Sequence, residues 1–347
     1  MRVTDLETPS VLIDLTIMED NIRRMQAHCD ALKLQFRPHV KSHKIPAIAR
    51  KQLDAGAVGI ACQKVSEAEV FANAGFTDIQ IPYTIIGEQK TRRLVNLAKR
   101  VRVTAMADHP LAVAGLSNAA GAARIKLRVL ADLGTQLHRT GATPEQVIEL
   151  AKQIDADPNL EFAGILVYPS NVCERPATLA ALEQLQKAGI RVEMVSGGGT
   201  GGMLEAGKFP ELTELRVGTY IFNDWTCVGK GWTTLENCAM TVMATVVSTP
   251  TAERVILDSG SKTLAGDRFQ EGHGHIVEYP DARIYQLSEE HAHVDVSRCA
   301  QKPRWGECVR VIPAHVCTAI NMHNQIYGIR NGEVEVTWIV AARGLVW

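Results

Sequence analysis

No stretch of this sequence approaches the roughly 18–20 consecutive apolar residues that a membrane-spanning helix needs, which argues against a transmembrane protein. Neither sign of charge is in excess: 37 Lys and Arg stand against 38 Asp and Glu, and the basic residues are dispersed. Without a basic patch, neither nucleic acid nor an anionic membrane surface is expected as a partner. The 8 cysteines, at positions 29, 62, 173, 227, 238, 299, 308 and 317, include no C-x-x-C pair and no disulfide-framework spacing. They read as the reduced thiols of a cytoplasmic protein, most of them core fillers. The opening "MRVTDLETPSVLIDL" places Asp and Glu ahead of any apolar run, unlike a secretory signal.

What is present is the composition of a globular protein, 46% hydrophobic and 22% charged over 347 residues, long enough for two domains. From about 36 to 225, short apolar strands alternate with helical patterns. "DIQIPYT" leads to "GEQKTRRLVNLAKR", and "IKLRVLADLG" leads to "TPEQVIELAKQIDADP", where Thr143 is an N-cap candidate. Eight such units argue for parallel strands with helical crossovers closed into a (β/α)8 TIM-type barrel; a doubly wound sheet is the alternative. After about 236 the texture changes to alternating and β-branched runs broken by Gly, Pro and Asp, an antiparallel β domain. The expected boundaries are 12–235 for the barrel and 236–347 for the β domain, joined by 1–11. The early run "SVLIDL" fits either the barrel or the β domain.

The first barrel strand carries "RPHVKSHK" (37–44). Read with period two, Arg37, His39, Lys41 and His43 share one face, while Val40 suits the helix side. The polar face then points into the barrel, with Lys41 near the C-terminal end where barrels keep their functional groups. Lys44 is out of parity. A neutral amine in such a place suits Schiff-base chemistry; a basic clamp for phosphate or carboxylate is the alternative, and parity does not choose between them. "SGGGTGG" (196–202), after the seventh strand, and "GTYIFND" (218–224), after the eighth, tilt the balance. Consecutive backbone N–H groups at such loops cradle phosphate, and barrels bind phosphate there. A phosphate clamp opposite a first-strand lysine fits pyridoxal phosphate.

With "RPHVKSHK", "SEAE", "VSGGGT", "LRVGTYIFND" and "PAHVC" in view, the sequence resembles the fold-type III pyridoxal-phosphate enzymes, the alanine-racemase-like group. Within it, nearly the whole chain resembles the D-serine dehydratase and D-threonine aldolase family. The resemblance implies that Lys41 carries the cofactor, that Arg139 in "LHRTG" contacts its phenolic oxygen and that Tyr168 lies near its ring. Ser196, Gly198, Gly199 and Thr200, with Gly218 and Thr219, would hold the phosphate. His315 and Cys317 would bind a divalent metal beside it. His-x-Cys on a strand puts both ligands on one face, and thiolate with imidazole favours zinc, with manganese or magnesium as the alternatives. The pairs His273/His275 and His291/His293 share this spacing, but the resemblance singles out His315 and Cys317 alone.

The family acts on D-3-hydroxy amino acids of the D-serine, D-threonine or D-3-hydroxyaspartate type. The resemblance therefore implies a lyase of D-amino acid metabolism, and, as related folds build their site between two subunits, a homodimer. Cys317 favours dehydration to a 2-oxo acid and ammonia over aldol cleavage to glycine and an aldehyde. The aldolases carry a His shortly after the strand-six tyrosine, where this chain has Asn171. An amino-acid racemase and a non-catalytic cofactor carrier are the remaining alternatives.

Overall fold

The computed structural model describes residues 1–347. In chain order its strands and helices are β1 (Ser10–Asp14), α1 (Leu15–Ala31), β2 (Gln35–Phe36), α2 (Pro46–Asp54), β3 (Ile60–Ala61), α3 (Val65–Asn73), β4 (Asp78–Thr84), α4 (Glu88–Ala98), β5 (Arg102–Ala107), α5 (Pro110–Ala123), β6 (Leu127–Leu133), α6 (Pro144–Asp155), β7 (Leu160–Val167), α7 (Arg175–Lys187), β8 (Met194–Gly198), α8 (Thr200–Glu205) and β9 (Glu214–Arg216). They continue with α9 (Trp225–Gly229), β10 (Met240–Thr251), β11 (Arg254–Leu257), α10 (Ser261–Leu264), β12 (Gly274–Ile276), β13 (Arg283–Leu287), β14 (Ala292–Asp295), β15 (Cys308–Pro313), α11 (Val316–Ile320), β16 (Gln325–Arg330) and β17 (Glu333–Ile339). Contacts divide the chain into two units. One is Met25–Lys41, Ile48–Gly218 and Leu345–Trp347; the other is Met1–Arg24, Ser42–Ala47 and Thr219–Gly344. No helix is long and apolar enough to cross a membrane.

In the first unit, eight parallel strands run in the order β2-β9-β8-β7-β6-β5-β4-β3. A bridge between His39 and Ala61 and the bond from Val58 N–H to the Phe36 carbonyl join the two ends, as a TIM-type barrel requires. Parallel strands covered on both faces need apolar side chains on both, and β7 and β8 are buried almost throughout. On the outside, α4 and α6 are amphipathic, each with one buried apolar face. In α6, Thr143 caps Gln146 N–H and the Gln146 side chain returns the bond, which sets the first turn. Gly164 in β7 has φ +135°, and a Cβ there would come 1.9 Å from the Met194 carbonyl oxygen, so only glycine lets β7 and β8 approach.

The barrel interior is of two kinds. Met106, Leu130, Ala163, Leu166 and Met194 form an apolar cluster with Tyr168 against it. Beside it runs a buried polar column. Arg37 bonds Asp78 Oδ1 at 2.7 Å and Glu214 Oε2 at 2.6 Å; Ser196 Oγ donates to Glu214 Oε1 at 2.6 Å; Arg216 Nε donates to Ser196 Oγ at 2.7 Å.

The second unit is built on a sheet ordered β13-β14-β11-β10-β1-β16-β17, with β15 pairing both β10 and β12. All these pairs are antiparallel except β1 with β16. The run "SVLIDL" is therefore resolved: β1 pairs with β10 through Leu12 and Thr241, and belongs to the C-terminal sheet. Thr219 to Asn237 also fall in this unit, as do Ser42–Ala47, so the chain passes between the units several times rather than once near 236.

Candidate active site

The segment "RPHVKSHK" is not one strand. Its backbone stays extended to the bridge at His39, then turns through a 3-10 helix at Val40–Ser42, and Lys44 adopts a left-handed φ of 59°. The four polar residues thus part company. Arg37 enters the barrel column, while His39 and Lys41 line a cleft with Gln63, Pro82, Met106, Asp132, Arg139, Thr140, Leu166, Tyr168 and Arg216. His43 is buried in the other unit, where its Nδ1 accepts Ile45 N–H at 3.1 Å and its ring meets Phe222 edge-on. Lys44 is buried too, and its Nζ donates to the Ala342 carbonyl at 3.3 Å. Of the two lysines, Lys41 is the one that reaches the cleft.

The cleft lies at the C-terminal ends of the barrel strands. Arg139 stacks over the Tyr168 ring at 4.5 Å, and the Tyr168 carbonyl accepts Thr135 Oγ1 at 2.8 Å. Arg216 is 3% exposed, with Nε and Nη2 both held by Ser196. Burial draws Arg216 down to about 10 against the pull of Glu214 and Asp132. Burial pushes the Asp132 carboxyl up to about 6, the Thr140 hydrogen bond opposing and neighbouring Asp108 assisting.

At the glycine-rich loop, Gly199 has φ +103° and opens α8, whose first-turn N–H groups lack intrahelical partners. A Cβ on Gly198 would sit 2.7 Å from the Arg216 carbonyl oxygen, and one on Gly199 3.2 Å from Pro169. Thr200 is half-buried at the helix start, and Gly218 is half-buried beyond β9. Ser196 is placed differently from the sequence expectation: fully buried, its hydroxyl is engaged by Glu214 and Arg216 inside the barrel. Thr219, just past Gly218, has Oγ1 3.7 Å from Cys317 Sγ. An amine, an aromatic ring, two guanidinium groups and an N–H-bearing loop that side chains would fill are a donor set that fits pyridoxal phosphate.

His315 and Cys317 do not lie on a strand. β15 stops at Pro313; His315 is the N-cap of α11 and Cys317 is in its first turn. Cys317 Sγ donates to Ser42 Oγ at 3.1 Å. His315 Nδ1 is 3.0 Å from Asp224 Oδ2, while Asp224 Oδ1 caps α9 by accepting Cys227 N–H at 2.9 Å. Burial works against a charged imidazole, but the Cys317 sulfur and the Asp224 carboxylate outweigh it and push His315 up to about 11. A carboxylate behind one imidazole nitrogen is the arrangement that orients the other toward a metal, and a bound cation would replace the proton this pair attracts. No cluster of three or more His, Cys, Asp or Glu is placed to hold a metal. The other histidine pairs are engaged elsewhere: His273 with the Asp267 carbonyl, His275 stacked on Trp225 and His293 with Ser288.

Sequence reasoning missed Asp132, Arg216 and Asp224. Asp132 and Arg216 each carried a signal, a charged residue at the C-terminal end of a barrel strand. Asp224 carried another, an Asp just before a short helix.

Two family models match the chain: "Alanine racemase, N-terminal domain" over residues 13–224 and "Putative serine dehydratase domain" over 239–329. A D-threonine aldolase of Arthrobacter sp is 34% identical, over 98% of this chain and 93% of its own. The crystal structure of D-threonine aldolase from Filomicrobium marinum superposes with a TM-score of 0.91 at 30% identity, covering 100% of this chain and 98% of that one. Two alanine mutants of D-threo-3-hydroxyaspartate dehydratase each give a TM-score of 0.89 at 25% identity over 98% of this chain, and cover 96% and 98% of their own. One replaces a histidine; the other, in the metal-free form, replaces a cysteine two positions further on. By the extent of these matches, the chain belongs to the fold-type III pyridoxal-phosphate enzymes, in the alanine-racemase-like family that includes D-threonine aldolase and D-serine dehydratase.

Proposed function

We propose that this protein is a pyridoxal-phosphate- and metal-dependent lyase that dehydrates and deaminates a D-3-hydroxy amino acid to a 2-oxo acid and ammonia. One observation carries the reading. Lys41 lines the cleft, and the next residue, Ser42, puts its hydroxyl 3.1 Å from the sulfur of the His315/Cys317 pair.

In this reading Lys41 holds the cofactor, with Arg139, Tyr168 and Arg216 around it and the loop at Gly198, Gly199 and Thr200, with Gly218, at its phosphate. Bound there, pyridoxal phosphate supplies an electron sink for charge that develops at the substrate's α-carbon. Lys41 Nζ takes the α-proton and returns protons later. His315 and Cys317 would hold a divalent metal, zinc by the softness of the sulfur ligand, and its chemistry there would be Lewis acidity. Asp224 orients His315, and Ser42 and Thr219 flank the sulfur. The 3-hydroxyl leaves as water, and one water returns as the amino group departs as ammonia.

The spacing of histidine and cysteine mutated in the D-threo-3-hydroxyaspartate dehydratase matches His315 and Cys317, which supports dehydration. The second reading, cleavage to glycine and an aldehyde, is favoured by the 34% identity to a D-threonine aldolase. Incubation with D-serine, D-threonine and D-3-hydroxyaspartate, with and without chelator, separates them. A chelator-sensitive 2-oxo acid supports the proposal, and glycine replaces it with the aldolase. The L-isomer would mean a racemase, and bound cofactor without turnover a carrier. We also propose a cytoplasmic homodimer, to be tested by light scattering.

A further inference from the structure

Asp132 is the sole acidic side chain among those that line the cleft. It is 3% exposed and lies one residue before the end of β6. A cofactor phosphate carrying nearly two negative charges and a substrate carboxylate would both meet it unfavourably. A buried anion in such a place needs an offsetting role.

Its partners indicate that role. Asp132 Oδ2 accepts Thr140 Oγ1 at 2.9 Å, and its carbonyl accepts Ala142 N–H at 2.8 Å. Gly134 N–H donates to the Ala142 carbonyl at 2.8 Å, so the loop 134–142 is closed at its base directly after Asp132. That loop presents Arg139, an exposed side chain whose guanidinium lies over the Tyr168 ring. Arg216 approaches from β9, with two of its nitrogens already held by Ser196. The charged and titratable groups that face Asp132 are Arg216, Arg139 and Asp108, with His39, Lys41 and Tyr168 elsewhere in the cleft.

We propose that Asp132 is a positioning residue that sets Arg139 and Arg216 for the cofactor, through the Thr140 bond and through its charge. The proposal rests on the reading that this cleft holds pyridoxal phosphate. It has a distinctive sign. An anion that merely repels the phosphate would, when neutralised, leave tighter binding. An anion that positions two cations would leave weaker binding.

The test is fluorescence titration of the cofactor-free protein with pyridoxal 5'-phosphate, for wild type, Asp132→Asn and Thr140→Val, from pH about 5 to 8. At the upper end Asp132→Asn should bind about tenfold more weakly and Thr140→Val about threefold more weakly. The ratio of variant to wild-type affinity cancels the cofactor's own titration. For Asp132→Asn this ratio should approach one toward the acid end, where wild-type Asp132 is itself protonated. Equal or tighter binding by Asp132→Asn, or a ratio independent of pH, overturns the proposal. Should that variant misfold, unchanged affinity in Thr140→Val overturns it instead. If wild type takes up no cofactor, the cofactor reading falls and this proposal with it; if wild type binds and both variants match it, only this proposal falls.

Discussion

His315 Nδ1 lies 3.0 Å from Asp224 Oδ2, and the Asp224 side chain is 1% exposed. A buried carboxylate that also caps α9 and accepts Val316 N–H cannot swing away from the imidazole. It fixes which histidine nitrogen is left for a metal. Asp224→Asn keeps the cap but removes the charge, and should cost about 10–100-fold in metal affinity. Competition with a fluorescent zinc chelator measures it. Unchanged affinity would remove Asp224 from the metal site.

Cys317→Ala should empty the metal site and abolish turnover while pyridoxal phosphate still binds. Elemental analysis and absorbance on the same sample read both. Full activity after exhaustive chelation of the wild type would end the metal reading outright.

The two lysines of "RPHVKSHK" should separate cleanly. Lys41→Ala should lose the cofactor's visible absorbance band with little change in melting behaviour. Lys44→Ala should keep the band but destabilise the fold by about 1–3 kcal/mol, because the buried Ala342 carbonyl loses the amine that donates to it. Loss of the band in Lys44→Ala alone would reverse the assignment.

Asp132 also has a stability signature. Its folded pKa, about 6, is raised from 3.8 by burial, so the native state favours the protonated carboxyl. That contribution is complete below the unfolded value and is lost as pH rises through the folded one. Replacing Asp132 by Asn should therefore stabilise the cofactor-free protein at neutral pH by up to about 3 kcal/mol, with no gain below pH about 4. Urea melts at the two pH values check it. Together with weaker cofactor binding, the outcome would be a residue kept for function at the expense of stability; a variant no more stable at neutral pH would mean that its hydrogen bond and arginines outweigh burial.

Much of this was legible in the sequence. The alternation of strands and helices and the β-rich C-terminal half follow from periodicity, and Thr143 caps α6 as its chemistry predicts. Strand parity reached Lys41, though by an imperfect route, since the chain leaves the extended state at Val40. Two-residue strands such as β2 and β3 carry too little pattern to reveal their ends. Ser196 was read with its glycine neighbours, whereas its side chain answers to Glu214, its register partner on β9. The Arg37–Glu214 bond is likewise invisible locally, because β2 meets β9 only on barrel closure. His315 and Cys317 were singled out by motif resemblance alone, and their helical setting was not legible, because a five-residue helix has no periodicity to show.

The column of Asp78, Arg37, Glu214, Ser196 and Arg216 bears on how this barrel can change over generations. Losing one member strands a buried charge, at a cost of about 3–5 kcal/mol, whereas exchanging a whole set for aliphatic residues can be neutral or better. The route to an apolar interior therefore crosses intermediates that barely fold. Such a column persists by being hard to leave one substitution at a time, and a recombined or redesigned barrel would have to inherit β2, β4, β8 and β9 together.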